Sequence, residues 1–389
     1  MSKPTQIDIR SITSPRRLLL AILTLAVVTR TYVCFYVADS WWVNDSKAYY
    51  EQAAAILEGH PISGFPNGYP LLISGLKVLF GEHAPLANIL FNIVAATSIV
   101  WLVYELGRDL AGSLTGLVAA LGVTLYPTQI HYTRRLLSEL PATLLLLTSF
   151  FLLANRRDFL AGLFVAAASW IRPSLLPVAG LVIAASLLVR DISIMRRKRY
   201  LFGASTCFLI SFGLLGVGVV KSSNNVGKNL LISIQSNSYS KIQYERESFT
   251  SKEKRSPLMT YIDFARSNPR EYLQQRWSSI RTMWGPWPPA RSHEGTRPAY
   301  ERVLIGLRFP LLILSLLGLF VMRNRAAAWI LASPILVVSF VHAFFFSTVR
   351  FTFPAEPSAM ILAAVFLVRF VPYSCGRGSS DKLDLDRSA

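Results

Sequence analysis

The sequence predicts an all-α, polytopic membrane protein with about ten transmembrane helices. Of its 389 residues, 52% are hydrophobic and only 16% charged. A soluble globular chain carries about 25% charged residues, so this composition matches a bilayer as solvent. Long apolar runs recur from one end to the other, and the basic residues gather at their ends. With 40 Lys and Arg against 22 Asp and Glu, the net charge of +18 therefore reads as helix orientation and contact with anionic lipid, not as nucleic-acid binding.

The first run follows "SPRR" and continues from Leu18 to Val37, roughly the 20 residues a span requires, so it reads as a retained span and not a cleaved leader. Further runs fall near 85–105, 111–127, 136–154, 159–171, 174–189, 200–220, 303–322, 327–346 and 355–371, some of them short. If these alternate, the basic loops at Arg16 and Arg17, Arg108, Arg156 and Arg157, Arg196 onward and Arg323 to Arg325 share one side. The positive-inside rule makes that side cytoplasmic and puts both termini there. The expected organisation is a cytoplasmic N-terminus (1–17), a transmembrane core (18–220) with an outer-face loop at 39–84, an outer-face segment (221–302), C-terminal spans (303–371) and a cytoplasmic tail (372–389). The segment 221–302 lies between the seventh and eighth spans. Within it, "DFARSNPREYLQQRWSSIRTMWGPW" predicts an amphipathic helix and an aromatic, proline-rich turn.

The outer side collects the residues that carry chemistry. "WWVNDSKAYYEQAAAILEGHP" reads as a short interfacial helix opened by Asn44 or Asp45 and closed by Gly59 and Pro61. Asp45 there is either an N-cap or an acid that accepts a proton from a hydroxyl, with Tyr49 on the same face at i+4. "FPNGYPLLISGLKVLFG" predicts a turn and an interfacial helix whose Tyr69 and Lys77 are further candidates. "HYTRRLLSELPA" brings Arg134, Arg135 and Glu139 to the mouth of a span, where ionisable groups suggest function or a local ion pair at helical spacing. Arg172 in "WIRPSLL" and Arg350 in "FSTVRFTFPAEPSAM" sit at two more outer turns. Each is either a snorkelling side chain or a phosphate clamp. Arg30, inside the first span, needs an internal partner.

The five histidines and three cysteines (Cys34, Cys207, Cys375) are scattered, and no nucleotide-binding, metalloprotease or serine-hydrolase motif occurs. No cofactor is expected; a divalent metal stays open as an alternative, although no motif supports one. In order, however, Arg30, "NDSKAYYEQAAAILEG", "GYPLLISGLKVLFG", "LLSELPATLLLL", "ASWIRPSLLP" and "RFTFPAEPSAMILAA" resemble the C-type superfamily of integral-membrane glycosyltransferases. The likeness is greatest to the branch of protein O-mannosyltransferases and aminoarabinose transferases. It runs over about 15–220 and 300–371, and leaves 221–302 unmatched.

The resemblance implies an enzyme that moves a sugar from a polyprenyl-phosphate donor to a glycan, lipid or protein hydroxyl on the outer face of the membrane; with neither a cleavable signal nor a eukaryotic retention motif in the sequence, a bacterial inner membrane is expected. Asp45 would be the base, with Glu139 the next candidate. Tyr49, Tyr69, Lys77, Arg134, Arg135, Arg172 and Arg350 would bind substrate. This chain has Ser46 where that branch often has an Asp-Glu pair, which argues against a metal-assisted step. A lipid-linked-sugar flippase, another polytopic transporter, or an oligosaccharide polymerase or ligase are the alternative readings.

Overall fold

A computed structural model describes residues 14–37, 41–62, 65–188, 193–218, 233, 256–285, 306–345 and 349–370. The tail expected at 372–389, Cys375, most of the expected N-terminal segment and most of 221–302 lie outside the described residues. Within them the chain is helical and contains no strand.

The chain starts with α1 (Pro15–Phe35), where Pro15 occupies the first turn and the Ser14 hydroxyl accepts the Arg17 N–H. Two short helices follow, α2 (Asn44–Leu57) and α3 (Gly68–Phe80). A single 3₁₀ turn then joins α3 to α4 (Ala84–Ala111), so that Gly68–Ala111 forms one apolar helical stretch. The interfacial helix expected at 65–81 thus runs on into the next span.

Next come α5 (Ser113–Leu125) and α6 (Pro127–Thr133), bent 55° apart. Pro127 has no N–H for the Val123 carbonyl, so the helical ladder must break there. Arg30 fills the gap: its guanidinium, buried in α1, donates to the carbonyls of Val123 (3.2 Å) and Thr124 (3.4 Å). The internal partner that Arg30 requires is therefore backbone, left open by a proline.

The remaining helices are α7 (Glu139–Ala154), α8 (Asp158–Ile171), α9 (Leu176–Leu188), α10 (Ile194–Gly216), α11 (Pro257–Ser267), α12 (Pro269–Trp284), α13 (Arg308–Val321), α14 (Ala326–Phe344) and α15 (Glu356–Phe370). The pair α11 and α12 realises the amphipathic helix expected in the outer segment, broken at Asn268–Pro269. Helices α8 and α10 meet through glycine. A Cβ on Gly162 would stand 1.9 Å from the Tyr200 carbonyl, and one on Gly203 would stand 1.9 Å from that of Phe159. Small residues let backbones approach closely where lipid supplies no hydrophobic drive.

Among the described residues, three stretches are long and apolar enough to cross a membrane: Pro15–Phe35, Gly68–Ala111 and Ala326–Phe344; the bent pair α5 and α6 makes a fourth if taken as one span. Shorter apolar helices fill the body of the bundle. The basic loops are drawn together in two places. Arg325 donates to the Leu110 carbonyl (3.0 Å), near Arg108, and Arg196 pairs with Asp158 (2.8 Å), next to Arg156 and Arg157.

Candidate functional site

Four segments distant in sequence deliver two acids and two arginines to one place. Asp45 lies in the first turn of α2, where a negative charge also favours the helix dipole. It is not the N-cap. Val43 holds that position, and the Ser46 hydroxyl accepts the Val43 N–H (3.2 Å) while donating to the Leu136 carbonyl (2.8 Å). With capping done by its neighbour, the Asp45 carboxylate turns to Arg350, whose guanidinium donates to it.

Glu139 occupies the first turn of α7 and is buried. Its Oε1 stands 2.7 Å from an Arg172 terminal nitrogen and 3.5 Å from Arg350 Nε. The shorter contact is a charged hydrogen bond, the longer a Coulombic one. The ion pair at helical spacing with Arg134 or Arg135 does not form. Arg134 instead donates to the Val37 carbonyl (2.9 Å) behind α1, and the Arg135 carbonyl accepts from Asn92 (3.0 Å). Pro173 explains Arg172: the residue before proline is pushed out of the helical region, and Arg172 (φ −133, ψ 97) leaves the end of α8 extended. Gly68 brings the start of α3 onto this same corner, since a Cβ there would stand 2.7 Å from the Ile171 nitrogen.

Aromatic rings back the charges. Both guanidiniums lie over the Phe351 ring, Arg172 at 5.6 Å and Arg350 at 5.5 Å from its centroid. His342 stacks on that ring at 4.2 Å. The Tyr49 hydroxyl meets Ser138 Oγ (3.3 Å), next to Glu139, and its ring meets that of Tyr69 edge-on at 4.9 Å. Burial, helped by the Glu139 charge, pushes the Tyr49 phenol up to about 12, so it stays protonated and serves as a hydrogen-bonding group, not a base. Tyr69 is wholly buried, its hydroxyl accepting from Asn88 (3.0 Å), and forms the layer behind Tyr49. Lys77 lies in the last turn of α3, and no ion pair among the described residues joins it to the cluster.

The cluster is closed behind and open in front. Glu139 and Arg172 side chains are 3% and 9% exposed, whereas Asp45 and Arg350 are 25% and 27% exposed. Two acids and two cations balance one another, with the accessible acid and the accessible arginine side by side. Such a site offers a proton acceptor and a fork of N–H donors to one incoming molecule. Among the described residues, no three His, Cys, Asp or Glu side chains converge as metal ligands would.

A second buried cluster, absent from the sequence expectations, lies close by. Arg308 Nε donates to Glu356 Oε1 (3.1 Å), and Glu356 also accepts from Thr352 (2.9 Å), Thr128 (2.5 Å) and Gln129 (2.9 Å). The signal was present in the sequence: both ionisable residues open apolar runs, where an unpaired charge is costly.

No family model matches the sequence, and no curated protein matches either. Solved structures do. An oligosaccharyltransferase from Archaeoglobus fulgidus superposes with TM-score 0.57 at 12% identity, over 92% of this chain and 51% of its own. The AglB oligosaccharyltransferase of that organism, in complex with an inhibitory peptide and a dolichol-phosphate, gives 0.54 at 14% identity, over 91% and 50%. ArnT from Cupriavidus metallidurans, bound to undecaprenyl phosphate, gives 0.56 at 12% identity, over 93% and 62%. The chain thus spans about half the length of the oligosaccharyltransferase and less than two thirds of ArnT. Nearly all of the chain aligns in each case, so the chain shares the fold of these structures over most of its length.

Proposed function

We propose that this protein transfers a sugar from a polyprenyl-phosphate donor to a hydroxyl acceptor at the outer face of a membrane. One observation carries the reading: Asp45, Arg350, Glu139 and Arg172 converge from four segments, although only Asp45 and Arg350 reach solvent. Attack on a lipid-linked sugar needs a hydroxyl deprotonated as it reacts, and cations where charge develops on the departing phosphate. Asp45 supplies the first. Arg350 supplies the second, with Arg172 as helper and Glu139 holding both arginines in register.

The Asp45 carboxylate occupies part of the Arg350 fork. An arriving phosphate competes for those donors and leaves Asp45 available to the acceptor hydroxyl. The two carboxylates are taken up by arginine, so the reading assigns the leaving-group charge to guanidinium and not to a divalent metal. AglB and ArnT structures that hold dolichol-phosphate and undecaprenyl phosphate support a polyprenyl-phosphate donor. The AglB complex with a peptide makes a protein acceptor as natural as a glycan or lipid.

The topology proposed is ten spans with both termini cytoplasmic, in a bacterial inner membrane. In its support, the Arg325–Leu110 and Arg196–Asp158 contacts each join loops expected on the cytoplasmic side, and the acid–arginine cluster joins loops expected on the other. A flippase would bind the same lipid-linked sugar but would not need a base. Purified protein given a polyprenyl-phosphate-linked labelled sugar and a hydroxyl acceptor separates them: transfer releases polyprenyl phosphate, whereas flipping leaves the sugar-lipid intact.

A further inference from the structure

The geometry points to Glu356 as a positioning residue that sets Arg350 against Glu139; the inference rests on the reading of Arg350 as the phosphate ligand. The Glu356 carboxylate stands in the first turn of α15, fully buried. Four donors fix it. Oε1 accepts from the Thr352 hydroxyl (2.9 Å) and Arg308 Nε (3.1 Å), and Oε2 from the Thr128 hydroxyl (2.5 Å) and the Gln129 amide (2.9 Å).

Arg308 opens α13, and the other three donors belong to the two segments that end on the site. Thr352 closes the 3₁₀ turn Val349–Thr352, which carries Arg350 and Phe351. Thr128 and Gln129 open α6 beyond the proline break, and the chain from α6 leads through Ser138 to Glu139. One carboxylate therefore holds the turn with one oxygen and α6 with the other. Two further bonds stiffen the same junction: Phe353 N–H donates to the Arg350 carbonyl (3.1 Å), and the Gln129 side-chain amide donates to the Phe353 carbonyl (3.4 Å). The 3.5 Å between Arg350 Nε and Glu139 is thus fixed from behind, by a group that no substrate touches. Arg308 neutralises the Glu356 charge, which lets a carboxylate with four acceptor bonds sit in the core.

Removing Glu356 itself would strand the Arg308 charge and confound positioning with folding. Thr352→Val removes a single donor and leaves both charges paired. In full-length protein in nanodiscs, undecaprenyl phosphate serves as the binding probe and thermal unfolding reports the fold. Expected is unfolding close to the parent, with affinity about fivefold weaker, the share of one hydrogen bond. Thr352→Ser should restore it. Parental affinity in Thr352→Val, alongside a large loss in Arg350→Gln, would overturn the positioning role and keep Arg350 as the ligand. Parental affinity in Arg350→Gln as well would instead overturn the reading on which it rests.

Discussion

Asp45 and Glu139 are both first-turn acids, yet their surroundings divide the work. Asp45 is a quarter exposed and faces one arginine, whereas Glu139 is sealed in and faces two. Glu139→Gln leaves Arg172 buried without its counter-charge, and breaking a buried pair costs roughly 3–5 kcal/mol. We expect a clear drop in thermal stability in detergent, and full stability in that variant would contradict the pairing. Arg350→Lys keeps the charge but not the fork, so donor affinity should fall short of the parent yet exceed that of Arg350→Ala. Equal affinity for the lysine and alanine variants would show that charge alone does nothing there. Both acids were legible in the sequence because ionisable groups at span mouths draw attention. Their partners were not: Arg350 lies 305 residues from Asp45, and spacing rules see only three or four. That is why Glu139 was expected to pair with Arg134 or Arg135.

Among the elements, the break between α5 and α6 shows how a local rule can be read and its consequence missed. Pro127 is visible in the sequence, but the guanidinium that replaces its missing N–H comes from α1. Arg30→Met should leave the Val123 and Thr124 carbonyls unpaired, at about 1–3 kcal/mol for each buried group. The measurement is again the unfolding temperature, where a silent variant would remove Arg30 from this role. The α8 and α10 contact is a second case, since neither Gly162 nor Gly203 sits in a recognisable motif and the close approach exists only once the helices meet. Overpacking costs about 1–3 kcal/mol, and more where only backbone can yield, so Gly162→Val should destabilise the bundle. The Arg308–Glu356 pair went unassigned for the same reason as Asp45–Arg350, because its members lie 48 residues apart, beyond the reach of spacing rules.

For the whole molecule, composition and the run of apolar segments gave helical class and membrane setting directly. Boundaries were less legible, since α3 and α4 continue through a single 3₁₀ turn that hydropathy reads as a gap. The proposed ten alternating spans would make a cysteine at exposed Glu58 reactive from outside the cell and one at exposed Arg323 reactive only after permeabilisation. The same side for both would contradict the topology. The most direct test is the rate of sugar transfer by Asp45→Asn protein, from a polyprenyl-phosphate-linked sugar, with binding of undecaprenyl phosphate measured in parallel. Because Ser46 and not Asp45 completes the helix start, the amide should leave the fold intact. Expected is retained lipid binding with transfer at least about a hundredfold slower, the range in which a general base acts. Transfer at the parental rate would contradict Asp45 as the base.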